Sequence, residues 1–284
     1  VETLVLENAH LRMRVSPQGA EVLSLDSLVH LHPVLRAGEG NAPGDCGLFP
    51  MLPLANRVER NRFMLRGREI GLPQSPVDAQ FFLHGDGWLA LWDVAEHGRE
   101  RCVLRLRKRH ACGFDYLAEV VYQLSENALH VSLAVEHKGD EPMLYGGGVH
   151  PFFHLTPQSR VQFCASGFWP EGESHLPEAW TDSLPAEADF GTASYGTNEW
   201  LNVGYSGWNG RAIVEHPEMT VTLLARTNWL MLFRMPGEPF ICLEPQSHPV
   251  NAHNLPGQPG LVMLNKEESW RFSTSILVNP PIKC

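Results

Sequence analysis

Alternation of apolar and polar residues at every second position runs through this chain from end to end. Leu11, Met13 and Val15 alternate with polar neighbours, as do Leu104 and Leu106 with Arg105 and Arg107. Leu129, Val131, Leu133 and Val135 repeat the pattern, and Trp270, Phe272, Thr274, Ile276 and Val278 carry it close to the end. Successive strand side chains point to opposite faces, so this period predicts half-buried antiparallel strands. Ala118–Leu124, Met219–Ala225, Trp229–Met235 and Phe240–Leu243 read as further strands. Turn-rich stretches separate them at 37–45, 71–76, 138–142, 170–185 and 250–259. No segment of 12 or more residues has a period of 3.6, and no repeat or low-complexity linker interrupts the 284 residues. The expected fold is all-β: one large antiparallel β-sandwich domain over residues 1–284.

Charge narrows the partners. The formal net charge is −10, and the single basic cluster is Arg105, Arg107, Lys108 and Arg109. Phosphate backbones and anionic lipid surfaces both demand clustered cations, so neither nucleic acid nor membrane is an expected partner. Six cysteines occur without a C-x-x-C spacing, and no N-x-S/T sequon or run of about 18 apolar residues is found. The sequence starts at Val1 rather than Met, as expected of a processed or trimmed chain. A reducing cytoplasm is the expected compartment.

Three segments place chemically capable side chains beside Gly or Pro at the end of an apolar run. They are Asn56-Arg57-Val58 with His84-Gly85 and Trp88, Gly146-Gly147-Gly148-Val149-His150-Pro151-Phe152-Phe153, and Leu243-Glu244-Pro245-Gln246. Loops on a rigid scaffold present side chains to ligands in this way. His150 and His154 share the i, i+4 spacing of a zinc helix, but Pro151 and the β-type flanks remove the helix that motif needs. His30 and His32 are spaced to share one strand face but make only two ligands. No metal is expected. The glycines are not a G-x-G-x-x-G that opens a helix, and no G-x-S-x-G occurs, so neither a dinucleotide site nor a serine-hydrolase elbow is expected.

Taken in order, these segments resemble the aldose 1-epimerase (galactose mutarotase) family. Asn56-Arg57-Val58 resembles its A-N-R-I, His84-Gly85 its H-G, and Val149–Leu155 its N-H-P-Y-F-N-L. Leu243–Gln246 resembles its E-P, Asn251–Asn254 its D-A-x-N, and Gly207–Ala212 a G-W-D-G-R-A stretch. The resemblance covers about residues 3–278. It implies a large β-sandwich of the galactose mutarotase type with a sugar pocket, and cofactor-free interconversion of the α and β anomers of a free hexose. It implies Glu244 as base, His150 as acid, and His84 assisting the acid and binding the sugar. Arg57 would bind ring hydroxyls and orient the carboxylate. Asn56, Trp88 and Phe153 would complete the sugar site, although Trp88 and Phe153 read equally well as core. Asn202 stands where the family usually carries an Asp, and Asn209 replaces the Asp of G-W-D-G. Two alternatives stand beside this reading: a non-catalytic sugar-binding or sensor protein on the same scaffold, and a mutarotase for sugar 6-phosphates. The mechanism requires Arg57, His84, His150 and Glu244 in one pocket, with Asn202 at its edge. It also requires a partly buried Glu244 partnered by Arg57 or a backbone N–H.

Overall fold

The computed structural model describes residues 1–195 and 198–283. Two large antiparallel sheets, of ten and eight strands, make up most of it. The expected strands appear with small boundary shifts: Leu11–Ser16, Arg101–Arg109, Asp115–Ser125, Ala128–His137, Thr220–Ala225, Trp229–Arg234 and Ser269–Asn279. Helical structure among the described residues is confined to three-residue 3-10 turns, and no helix is long and apolar enough to cross a membrane.

The eight-stranded sheet shows how alternation becomes a core. In Asp115–Ser125, Tyr116, Ala118, Val120, Tyr122 and Leu124 are buried on one face. Its partner Ala128–His137 buries Leu129, Val131, Leu133 and Val135. These residues join Leu6, Met13, Val149, Phe153, Ile241 and Leu243 from the ten-stranded sheet in one cluster between the sheets. The Tyr122 hydroxyl crosses the interface and donates to the Ala20 carbonyl at 2.6 Å. The basic cluster lies on Arg101–Arg109 and is matched by acids: Arg105 pairs with Glu119, Arg107 with Asp115 and Lys108 with Asp86. The described cysteines 46, 102, 112, 164 and 242 are free thiols; Cys284 lies outside the described residues.

Two central strands of the ten-stranded sheet carry His150 and Glu244. Gly148–His154 pairs with Phe240–Gln246 on one side and with Leu48–Met51 on the other. Phe153, Ile241 and Leu243 point into the main core, whereas Phe152 and Cys242 belong to a second apolar cluster with Phe49, Met51 and Trp88. Alternation therefore assigns that second cluster to the sheet face turned away from the core. The glycines before His150 serve this crowding. A Cβ at Gly148 would lie 2.2 Å from the Pro245 carbonyl oxygen, and one at Gly147 2.2 Å from that of Met51. What the backbone approaches closely here is its own neighbouring strands.

The same alternation chooses between the two readings of Phe153. It is 1% exposed in the main core rather than beside the cavity, and Phe152 takes the face shared with His150. Phe153→Ala should cost about 3–5 kcal/mol in urea-induced unfolding through the cavity it leaves. Ligand affinity of the folded variant should stay within about twofold, a change of under about 0.5 kcal/mol.

Candidate active site

His150 and Glu244 are cross-strand neighbours. Gly148 pairs with Gln246 and Phe152 with Cys242, so the register sets His150 opposite Glu244 on the same face. His150 Nε2 lies 3.4 Å from Glu244 Oε1, and both side chains are buried. Both residues sit inside strands rather than on the loops expected from their Gly and Pro neighbours. The pair is therefore held by two hydrogen-bonded ladders, which is a more rigid mount than a loop.

His84 reaches the pair from outside the sheet. Its ring centroid is 5.2 Å from that of His150. Asn56 and His84 both adopt left-handed backbone, with φ of 64° and 57°. They hold each other: the His84 backbone N–H donates to the Asn56 carbonyl, and the Asn56 N–H donates to His84 Nδ1 at 2.9 Å. Gly85 is also left-handed, and a Cβ there would fall 2.1 Å from the Leu52 carbonyl oxygen. This packing accounts for His-Gly as a unit. Trp88 stacks on Phe49 at 4.7 Å and meets His84 edge-on at 5.9 Å. Its indole N–H donates to the Gly85 carbonyl. Trp88 therefore braces His84 from behind and is not among the pocket walls.

Asn251 clamps the segment that carries Arg57. Its N–H donates to the Arg57 carbonyl at 3.0 Å, and its side-chain oxygen accepts from the Glu59 N–H at 2.9 Å. The His248 ring accepts from the Ala55 N–H. Arg57 sends Nη1 toward Asn56 Oδ1 at 3.4 Å, and no hydrogen bond joins it to Glu244. The expected Arg57 or backbone partner for the carboxylate is thus replaced by His150, and Glu244 is 1% exposed rather than partly buried. Stacking of His150 against Phe49 and Phe152 fills the space around the pair with carbon.

Asn56, Arg57, His84, His150, Asn202 and Glu244 line one cavity of about 210 Å³. That is smaller than the roughly 300–1,000 Å³ of drug-sized sites and suits a single small ring. Leu83, His175, Trp200 and Phe233 complete the walls. The sequence reading missed these four. Phe233 is placed by register, because it pairs with both Asn202 and Cys242, and only the folded sheet sets that register. Asn209 lies elsewhere: its side chain accepts from the Arg211 N–H in a turn. A larger cavity of about 650 Å³ lies against Arg226 and Arg271, but no carboxylate or imidazole lines it.

Arg57 Nε, His150 Nδ1 and Glu244 Oε1 are buried without a hydrogen-bond partner in the protein. Buried polar atoms are normally satisfied, so three orphans around one small cavity mark a site shaped for a polar ligand. Burial raises the Glu244 pKa well above the ordinary carboxylate value, opposed in part by the Arg57 charge. Burial also lowers His150, to about 3, and lowers His84, aided there by His150 and Arg57. A strong base and a strong acid thus face each other, and their protons belong to the pair as a unit.

His84, His150 and Glu244 also offer ligand atoms within 4.8 Å of one another, a spacing that could hold a metal. The His84 tautomer opposes this. Because Nδ1 accepts from Asn56, the ring proton of neutral His84 sits on Nε2, where a metal would need a lone pair. Ligating histidines normally donate from the second nitrogen instead. His84 therefore presents a hydrogen-bond donor.

A sequence model of the family described as aldose 1-epimerase matches residues 2–277. The Escherichia coli K12 protein YphB is 34% identical over 287 residues, spanning 96% of this chain and 97% of that protein. A crystal structure from Escherichia coli K12 superposes with a TM-score of 0.93 at 33% identity, covering 98% of this chain and 99% of the other. A galactose 1-epimerase from Lactobacillus acidophilus shares the fold, with a TM-score of 0.80 at 18% identity and coverage of 98% and 94%.

Proposed function

This chain belongs to the aldose 1-epimerase family, and from that premise we propose that it is a cofactor-free mutarotase acting on a free hexose. The observation that carries the proposal is the buried His150–Glu244 pair, with orphaned polar atoms on residues that line a cavity the size of one ring. Ring opening removes the proton of the C1 hydroxyl and delivers one to the ring oxygen; closure on the other face reverses both transfers. O1 and O5 sit on the same carbon, so acid and base must flank one small site. Glu244 takes the hydroxyl proton. A carboxylate forced out of water is a stronger base, which favours the transfer. His150 gives the proton to O5; burial lowers His150 and raises Glu244, so the pair rests neutral and the ionised pair that reacts is its minor form. The His84 Nε2–H donates to the same oxygen region and holds the sugar. Arg57 supplies planar donors to the ring hydroxyls.

Among the described residues Arg57 is the one Lys or Arg lining the cavity, which favours a neutral sugar over a 6-phosphate. Five free thiols are consistent with the proposed cytoplasmic setting. Freshly dissolved α-glucose, α-galactose and glucose 6-phosphate, followed by polarimetry with and without protein, test the reading. Accelerated anomer exchange of a free hexose is expected. Sugar binding without acceleration would favour the sensor alternative. Because proton transfer alone carries the reaction, dialysis against a chelator should change the rate less than about twofold, under about 0.5 kcal/mol of barrier. A loss restored by zinc would reassign His84 as a ligand.

A further inference from the structure

Three walls of the pocket converge on a carboxylate that does not itself line it. Glu171 Oε1 accepts from Trp200 Nε1 at 2.7 Å. Its Oε2 accepts from Asn202 Nδ2 at 2.7 Å and faces His175 Nδ1 at 2.8 Å. His175, Trp200 and Asn202 all face the cavity, and Glu171 lies behind them, 23% exposed. Trp200 in turn meets Phe233 edge-on at 5.2 Å. Glu171 also acts on Arg57 across the pocket, where its charge favours the protonated guanidinium.

An amide can present either a donor or an acceptor, and its partner decides which. A carboxylate only accepts, so it binds the Asn202 nitrogen and leaves the oxygen for the other side. We infer that Glu171 is a positioning residue that sets the hydrogen-bond polarity of this wall, turning the Asn202 amide oxygen toward the pocket as an acceptor for a sugar hydroxyl. The inference rests on the reading of the cavity as a sugar site. It makes position 202 depend on position 171. Two carboxylates at hydrogen-bond distance repel each other and lack a donor, whereas a carboxylate–amide pair keeps its hydrogen bond with the two groups exchanged between the positions.

The test is a double-mutant cycle of Asn202→Asp, Glu171→Gln and the pair of changes together, read by KM and kcat separately. Asn202→Asp should raise KM about tenfold at pH 7, the loss of about 1.4 kcal/mol of binding. Its kcat should hold within about threefold, since Glu244 and His150 are untouched. Glu171→Gln should raise KM about threefold to tenfold, because the Asn202 amide is free to turn. The double variant should return to within about threefold of the wild type, with the new amide at 171 donating to the new carboxylate at 202. A wall with a merely structural role would not be rescued by exchanging the two groups. An unchanged KM in Asn202→Asp, or a double variant no better than Asn202→Asp, overturns the inference. Calorimetric titration with glucose and galactose runs the same cycle on affinity alone, so a wild type that binds sugar without turning it over rejects the mutarotase reading and still decides this one. A wild type that binds neither sugar rejects both.

Discussion

Glu244→Gln should lower the turnover of anomer exchange by about 10²–10⁴-fold, the range for removing a positioned general base. The amide has the shape of the carboxylate and cannot accept the C1 proton. The same change should leave the protein as stable as before at pH 7, or more stable. Glu244 is a buried carboxyl whose Oε1 has no hydrogen-bond partner, and replacing it with an amide removes the cost of burying an ionisable group there. The introduced amide can donate to His150 Nε2, 3.4 Å from the present oxygen. Stopped-flow polarimetry gives the first quantity and thermal unfolding the second. Turnover within tenfold of the wild type in a folded Glu244→Gln protein would remove Glu244 from the base role. A melting temperature several degrees lower would show that the carboxylate is better solvated than its burial indicates.

Acidification should unfold the protein well above the usual carboxylate range. His84, His150, His248 and His253 are buried, and burial is the largest cause lowering each one. His150 falls to about 3 and His248 to about 4. A depressed histidine is neutral in the folded chain but protonated in the unfolded chain below about pH 6.5, so its contribution to stability is present above 6.5 and lost as pH falls toward the folded value. Carboxyls raised by burial, Asp26 among them, work the other way. Burial raises Glu21 to about 7 and raises Glu244, so their contribution is fully present below the unfolded value and is lost as pH rises through the folded one. Between pH 6.5 and 5 the lowered histidines, which also include His154 and His216, outnumber the raised carboxyls, so unfolding takes up protons and stability falls as the pH falls. Urea unfolding at pH 8, 6.5 and 5 measures it. Equal midpoints at 6.5 and 5 would show that these imidazoles carry protons in the folded state.

The strand content was legible because alternation is a local property. Ala128–His137 and Ser269–Asn279 carry it almost without interruption, and apart from His137 and Thr274 their buried positions are apolar. Phe240–Gln246 was legible only in its first half. Its last three residues, Glu244, Pro245 and Gln246, look like a strand end by composition, yet all three are buried within the strand. His150 was misplaced onto a loop for the same reason, because Pro151 and three glycines read as a turn. Gly148 and Gly147 instead admit the neighbouring backbones of Pro245 and Met51, and Gly146 the His248 side chain. Side-chain assignment within a strand turns on a single residue of register, and that separated Phe152 from Phe153.

By itself, the sequence determined an all-β chain, its acidic character and the short segments that carry His84, His150 and Glu244, since each of these is written in neighbouring residues. Only the tertiary structure decided that His150 stands opposite Glu244 across two strands 94 positions apart in sequence. It alone placed Trp88 behind His84 rather than in the wall. It also turned the stretch 170–185, which reads only as a run of turns, into the source of Glu171 and His175. Residues so far apart leave no periodic trace, because their contact comes from sheet pairing and loop packing, and those are settled by the whole core at once.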